Sequence, residues 1–446
     1  MKERKYITLI LLHALIGIIL YFFNSLSIVY AISIPAIGLY YIMKNQNKNN
    51  EVLFVSAYIV GSEVFLRMTG GSLLYESAKY EVMIFLALGM FYSGFSKNAI
   101  PYWIYLLLLL PGVFIAVETL NLETNLRKAI AFNISGPICL GIASIYCYNR
   151  KILLSQLSNI LLTLALPVFS TTIYLILYAP NLKDLLMGTG SNMETSGGFG
   201  PNQVATVLGI GMFIFFSRLL LESKTKLLII VNIVVLFNIT YRGFVTFSRG
   251  GMLTGFIIII LLLVYVYFNV KTYKKIKLLG FFSFMIIALV FTWLYTSNQT
   301  GGLINKRYAN QDAAGRVKES NVSGREDIWD SEIADFIDHP VFGIGVGKAL
   351  EVRQEKYGGV IIASHSEVSR TIAEHGTLGI IALLIVFITP IFLNFNNKQH
   401  IYMISLLLFW LLTISHSAMR IAAPAFIYSL TLLKVFIQEE PSIPKV

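Results

Sequence analysis

The sequence predicts an all-α bundle of transmembrane helices, and three observations carry that prediction. Of its 446 residues 56% are hydrophobic and 13% charged, with a mean hydropathy of +0.70, too apolar for a water-soluble fold. Apolar runs of roughly 17 to 20 residues recur from end to end, each about the length a helix needs to cross the hydrocarbon core. Basic residues gather in the short connections between those runs.

In chain order the runs place spans near 6–23, 26–43, 52–68, 80–95, 101–118, 129–147, 152–178, 203–217, 227–244, 251–268, 278–296, 376–395, 400–417 and 421–437, about 12 to 14 crossings in all. Lys2, Arg4 and Lys5 precede the first run and no small-residue cleavage site follows, so it is read as an uncleaved helix. With the N-terminus in the cytoplasm, Lys44, Lys48, Lys97, Arg150, Lys151, Arg218, Lys224, Lys226 and the lysines of 271–277 all fall inside, as does the C-terminus. The net charge of +11 is therefore an orientation signal, and the expected partner is the lipid bilayer and not nucleic acid. Cys139 and Cys147 are eight residues apart in one run, about 12 Å along a helix, too far to pair with each other, and read as packing residues.

The whole chain, 1–446, reads as one integral membrane domain with a large extracytoplasmic loop at 297–375 inserted between late spans. Ile328, Trp329, Ile333, Phe336 and Ile337 recur there at helical spacing, which predicts an amphipathic helix that buries them.

Three short segments share one design. Ser248-Arg249-Gly250-Gly251 starts a span just after an outward turn, with Ser248 expected to cap the helix and the glycines to let a ligand near the backbone. Ser323-Gly324-Arg325-Glu326 has the spacing of a capping box, and Ser364-His365-Ser366-Glu367 repeats it. Arg249, Arg325 and His365 are thus each expected in a first helical turn. Unpaired N–H groups there and a planar guanidinium suit phosphate oxygens. The same positive end disfavours a protonated imidazole, which suits His365 to accept a proton.

Other outward groups extend this set as substrate-binding candidates. Arg242 lies seven residues before Arg249; Arg67 lies four after Glu63, the spacing of a plain helical ion pair; Lys79, His416 and Arg420 stand at outer ends of spans. Arg67 and Arg420 also fit arginines that reach to lipid headgroups. No nucleotide-binding loop of the type G-x-x-x-x-G-K-[ST], zinc-type spacing or H-E-x-x-H motif occurs, so neither a metal nor another cofactor is expected. Gly343-x-Gly345-x-Gly347 does not follow a strand and reads as a tight turn.

The Ser-Arg-Gly-Gly turn, the loop with Gly324-Arg325, Trp329, His339-Pro340 and the 343–347 glycines, then Ser364-His365-Ser366 and Glu374-His375-Gly376, resemble the O-antigen ligase and O-antigen polymerase superfamily of bacterial envelope glycosyltransferases. Gly197-Gly198-Phe199-Gly200-Pro201-Asn202-Gln203 and the Glu63 to Lys79 region resemble its polymerases, more weakly. The resemblance implies a GT-C-like fold in the plasma (inner) membrane and an active site on the extracytoplasmic face. It implies an undecaprenyl-diphosphate-linked oligosaccharide as donor, a glycan acceptor, inversion at the anomeric carbon and no metal, with other envelope polysaccharide assembly proteins as further partners. Arg249 and Arg325 match the family's diphosphate-binding arginines and His365 its loop histidine. Ser366 stands where many relatives carry asparagine. The outer segments favour a polymerase, with a ligase as the alternative and a transporter of lipid-linked sugars as the reading of a different class.

Overall fold

The structure is a computed structural model that describes residues 3–186, 188–270, 272–318, 325–356 and 364–437. Among these residues the chain forms eighteen helices and one short parallel strand pair. A first group comprises α1 (Glu3–Phe22), α2 (Leu26–Asn45), α3 (Glu51–Met68), α4 (Ser77–Ser93), α5 (Ile100–Thr119), α6 (Leu126–Cys147) and α7 (Leu154–Tyr178). A short α8 (Leu182–Leu185) leads to α9 (Pro201–Leu221), α10 (Lys226–Val245), α11 (Arg249–Asn269) and α12 (Thr272–Gln299). Then come three helices in the long polar stretch, α13 (Leu303–Tyr308), α14 (Arg325–Asp338) and α15 (Lys348–Lys356), followed by α16 (Glu367–Phe395), α17 (Met403–His416) and α18 (Ala422–Leu430). The strands β1 (Lys151–Leu153) and β2 (Lys434–Phe436) pair in parallel.

A helix forms at each of the fourteen expected runs, and ten described helices are long and apolar enough to cross a membrane. The chain is a multi-pass membrane protein. Cys139 and Cys147 are buried and unpaired, as packing residues are. The basic connections meet at one end of the bundle. There Arg150 reaches Ser93 and the Gly94 carbonyl, Gln156 donates to Asn49, Thr225 donates to Glu3, and Tyr265 donates to the Lys398 carbonyl. β1 and β2 tie the end of the chain to the same place through Lys434 N–H on the Arg150 carbonyl.

The helices at the last two expected runs are short. α17 and α18 have 14 and 9 residues, about 21 and 14 Å at 1.5 Å per residue, short of the roughly 30 Å hydrocarbon core. They form a hairpin that enters from the basic end and turns back inside the bundle. Its tip, 417–421, lies against the middle of α6, where a Cβ on Gly136 would stand 2.6 Å from Met419. Ala422 N–H donates 2.7 Å to Glu63, more than a turn short of the end of α3. Thr225 on Glu3 and Lys434 N–H on the Arg150 carbonyl put the first and last described elements at the basic end. A hairpin tip sunk below the ends of α3 and α6 leaves room for polar groups among the surrounding helices.

α16 supplies the second device that shapes this far end. Gly376 has φ 60° and ψ −142°, which breaks the helix at the residue where the sequence placed the start of the span. A break frees carbonyls that a continuous helix would use. The glycine turn fills them: Ile344 N–H donates to Ala373 and Gly345 N–H to Glu374, while Val346 N–H reaches Gly112 on α5. Gly343, Gly345 and Gly347 all have positive φ, and a Cβ on Gly343 would stand 2.5 Å from the Ala373 carbonyl oxygen. The tight turn read from the sequence is present, and only glycine fits its contacts.

α14 differs from expectation. It is amphipathic, but Trp329 and Ile337 are 43% and 67% exposed, while Ser331 and Glu332 are buried beside Ile328. The buried stripe is centred on a carboxylate, because an arginine of α15 meets it there. α12 stands off from its neighbours and leaves an apolar groove of about 450 Å³ against α9, α10 and α11.

Candidate functional site

The first turn of α11 is built by three converging segments. After α10 the chain reverses through Phe247, which holds a left-handed φ of 57°. For a bulky aromatic residue this is a strained conformation, maintained only when neighbours over-determine it. They do: Arg307 of α13 donates 2.9 Å to the Phe247 carbonyl, Thr195 donates 2.9 Å to the Val245 carbonyl, and the Thr246 hydroxyl accepts from Ser248 N–H.

Ser248 occupies the N-cap but makes no capping bond; its hydroxyl donates 2.8 Å to Asn202 at the start of α9. The expected cap is thus replaced by a link to the glycine-rich segment. The glycines also serve helix packing. A Cβ on Gly251 would stand 2.4 Å from the Ala205 backbone, and one on Gly250 2.4 Å from the His416 ring. Gly250 therefore brings His416 against the turn of Arg249. Tyr308 of α13 lies within electrostatic range of Arg249; burial pushes its hydroxyl up to about 12, against the pull of Arg249 and Arg307.

His365 lies on the segment entering α16, in a cleft of about 420 Å³ with Trp329, Glu326, Asp330 and Ser415. The helix begins later than the sequence suggested. Ser366 is the N-cap and accepts from Ser369 N–H, so His365 sits just outside the first turn. Ser364, expected as the capping serine, holds the loop itself, accepting from Ser366 N–H and donating to Glu332. Ser415 closes the link to α11, since its neighbour His416 packs on Gly250. Arg325 begins α14, one residue before Glu326 of the same cleft. Its side chain, Ser323 and Gly324 lie outside the described residues. The backbone thus brings the turns of Arg249, Arg325 and His365 to one end of the bundle.

Beneath the cleft is a buried ionic lattice that sequence reasoning missed. Arg353 pairs with Glu332 at 2.7 Å, and Glu332 also accepts from Ser364 and Ser369. Arg370 pairs with Glu367 and reaches Asn133 on α6. Glu367 accepts 3.1 Å from Met419 N–H, as Glu63 does from Ala422 N–H, so two carboxylates pin the hairpin tip. Arg420, on that tip, donates 2.5 Å to the Ser364 carbonyl and lies over the Phe132 ring. The space among Arg353, Arg370, Arg420, Glu367 and Glu374 is about 30 Å³, room for about one water. The ion pairs around it pin the segments that line the cleft. The i,i+3 spacing of Glu367 and Arg370 was a legible signal; the pairing of Glu332 with Arg353 had none.

The remaining expected residues are placed as follows. Arg242 spends two N–H groups on the Ala179 and Ile176 carbonyls at the end of α7. Arg67 pairs with Glu63 at 2.5 Å, donates to the Tyr75 carbonyl and lies over the Tyr75 and Phe199 rings. Lys79 is fully buried, paired with Glu76 and bonded to Ser135. His416 has Nδ1 2.7 Å from the Leu412 carbonyl.

No protein of curated function matches the chain. A family model described as O-antigen ligase matches residues 234–384, from α10 past the break in α16, and so takes in the turn of Arg249, the cleft of His365 and the glycine turn between them. Over that segment the chain is similar to the O-antigen ligase family.

Proposed function

We propose that the protein is a membrane glycosyltransferase that transfers an undecaprenyl-diphosphate-linked glycan to the end of another lipid-linked repeat unit of a cell-surface polysaccharide. Its site faces away from the cytoplasm, and the basic end and both termini face the cytoplasm of the plasma membrane. The observation that carries this reading is the convergence of the first turns of α11 and α14 with the His365 cleft within the matched segment. The apolar groove beside α12 supports a lipid-borne donor. Its wall residue Phe256 packs on Phe244, which contacts Trp293 and Tyr308, and Tyr308 neighbours Arg249.

In this reading an acceptor hydroxyl attacks the anomeric carbon of the first donor sugar from the face opposite the diphosphate. The new C–O bond forms as the bond to the diphosphate breaks, and the hydroxyl proton passes to His365. Arg249 and Arg325 stabilise the charge that grows on the departing diphosphate, the term that usually contributes most. Guanidinium groups then act where other transferases use a divalent ion. With purified protein and lipid-linked donor, Arg249→Ala and Arg325→Ala should each lower turnover at least ~100-fold. Lysine should substitute poorly, lacking the bidentate fork. Full activity in either alanine variant removes the reading.

The segments that resemble polymerases support polymerisation. Phe199 lies under Arg67, and Asn202 holds Ser248 beside Arg249. The family description favours a ligase, which passes a finished chain to a lipid A core or another acceptor. Gene deletion separates the two. Loss of long chains with single repeats still attached marks a polymerase, and complete polymer left on the carrier lipid marks a ligase.

A further inference from the structure

The described lining of the His365 cleft carries carboxylates where the turn of Arg249 carries a guanidinium. Among its described lining residues are two carboxylates, Glu326 and Asp330, four serines, one histidine and Trp329, and neither lysine nor arginine. Trp329 is 43% exposed on a helix whose inner face is otherwise closed by the Glu332–Arg353 pair, so its indole is a platform along the cleft. A volume of about 420 Å³ is within the range of small-ligand clefts.

An exposed indole face, acceptor-only carboxylates and hydroxyls in one cleft match the chemistry of a pyranose. The ring's C–H face stacks on the aromatic surface, and its hydroxyls donate to carboxylates. From this we infer that the cleft is the acceptor-sugar subsite, stacking a neutral or amino-bearing sugar on Trp329, with Glu326 and Asp330 selecting against a uronate. The assignment to the acceptor rests on the glycosyl-transfer reading, because the acceptor hydroxyl must lie beside the group that takes its proton. The choice of sugar charge rests on the cleft alone. An ammonium group gains from the two carboxylates, and a sugar carboxylate is repelled by them.

The test uses the full chain in nanodiscs without donor, with binding read by saturation-transfer difference NMR. The probes are a tetramer of N-acetylglucosamine, a tetramer of glucosamine and a tetramer of galacturonate. Wild type is expected to bind the first two and not the third. Trp329→Ala should weaken them at least tenfold at unchanged thermal stability, and Glu326→Gln with Asp330→Asn should remove the discrimination against galacturonate. The inference fails if galacturonate binds wild type as well as the others, if no probe binds, or if Trp329→Ala binds normally, the result expected of an indole that only anchors the protein at a bilayer interface. Probe binding that Trp329→Ala abolishes, in a protein that transfers no lipid-linked glycan, would keep this inference and overturn the transfer reading. Transfer with an unaltered acceptor KM in Trp329→Ala would do the reverse.

Discussion

Glu332 takes a guanidinium and two hydroxyls on its two oxygens while fully buried. Removing one partner of a buried pair leaves a charge without compensation, which costs more than the pair itself contributes. Glu332→Ala should therefore destabilise the protein by about 3 to 5 kcal/mol. Glu332→Leu combined with Arg353→Met should recover most of that loss, since both charges are then gone. Thermal unfolding of the full chain in detergent checks both, and a single variant as stable as wild type would rule the lattice out as the support of the cleft. The periodicity of α14 could not reveal this residue. Glu332 lies on the same stripe as Ile328, but a lone carboxylate in a sequence is assigned to solvent until its cation is known, and Arg353 is 21 residues away.

At the scale of elements, the segment from His339 to Lys356 is fastened to the bundle by the glycine turn on one side and by Glu351 on the other. Glu351 of α15 accepts from Asn121 N–H, Thr124 and Lys348, which ties α15 to the turn between α5 and α6. Burial raises its carboxyl, but the bonds from Lys348, Thr124 and Asn121 outweigh that and hold it below the usual 4.5. A folded-state value below the unfolded one stabilises fully above the unfolded value and is lost as pH falls through the folded one. The stability gap between wild type and Glu351→Gln should thus be widest near neutrality and close below about pH 4. Melting curves across that range measure it, and a gap that stays constant down to pH 3 would show that the ionised carboxylate is not the tie.

For the whole molecule, the α17–α18 hairpin decides how deep the polar end reaches. In a variant with Cys139 and Cys147 replaced, single cysteines report this by labelling with a membrane-impermeant thiol reagent in oriented vesicles. Leu122→Cys, fully exposed in the turn between α5 and α6, should label from the side away from the cytoplasm. Lys398→Cys, in the turn at the basic end, should label from the other side. Ala418→Cys, 4% exposed on the hairpin tip, should label at least tenfold more slowly than either. Rapid labelling of Ala418→Cys from the Leu122 side would make α17 and α18 true crossings.

The sequence by itself determined the membrane class, the helix at each apolar run, the gathering of basic connections at one end and the first helical turns of Arg249 and Arg325. Those properties depend on local hydrophobic length, on the charge of short connections and on glycine-bearing turns, all of which act within a few residues. Tertiary structure alone decided that the last two runs fold back as a hairpin, because apolar composition does not distinguish a buried helix of nine residues from the end of a span. It also decided that Ser248 binds Asn202 and does not cap its helix, that Trp329 faces a cleft, and that Glu332, Glu367 and Glu63 are structural anchors. Each of these depends on partners tens or hundreds of residues away, and a buried polar group is assigned a role only by the partner that satisfies it.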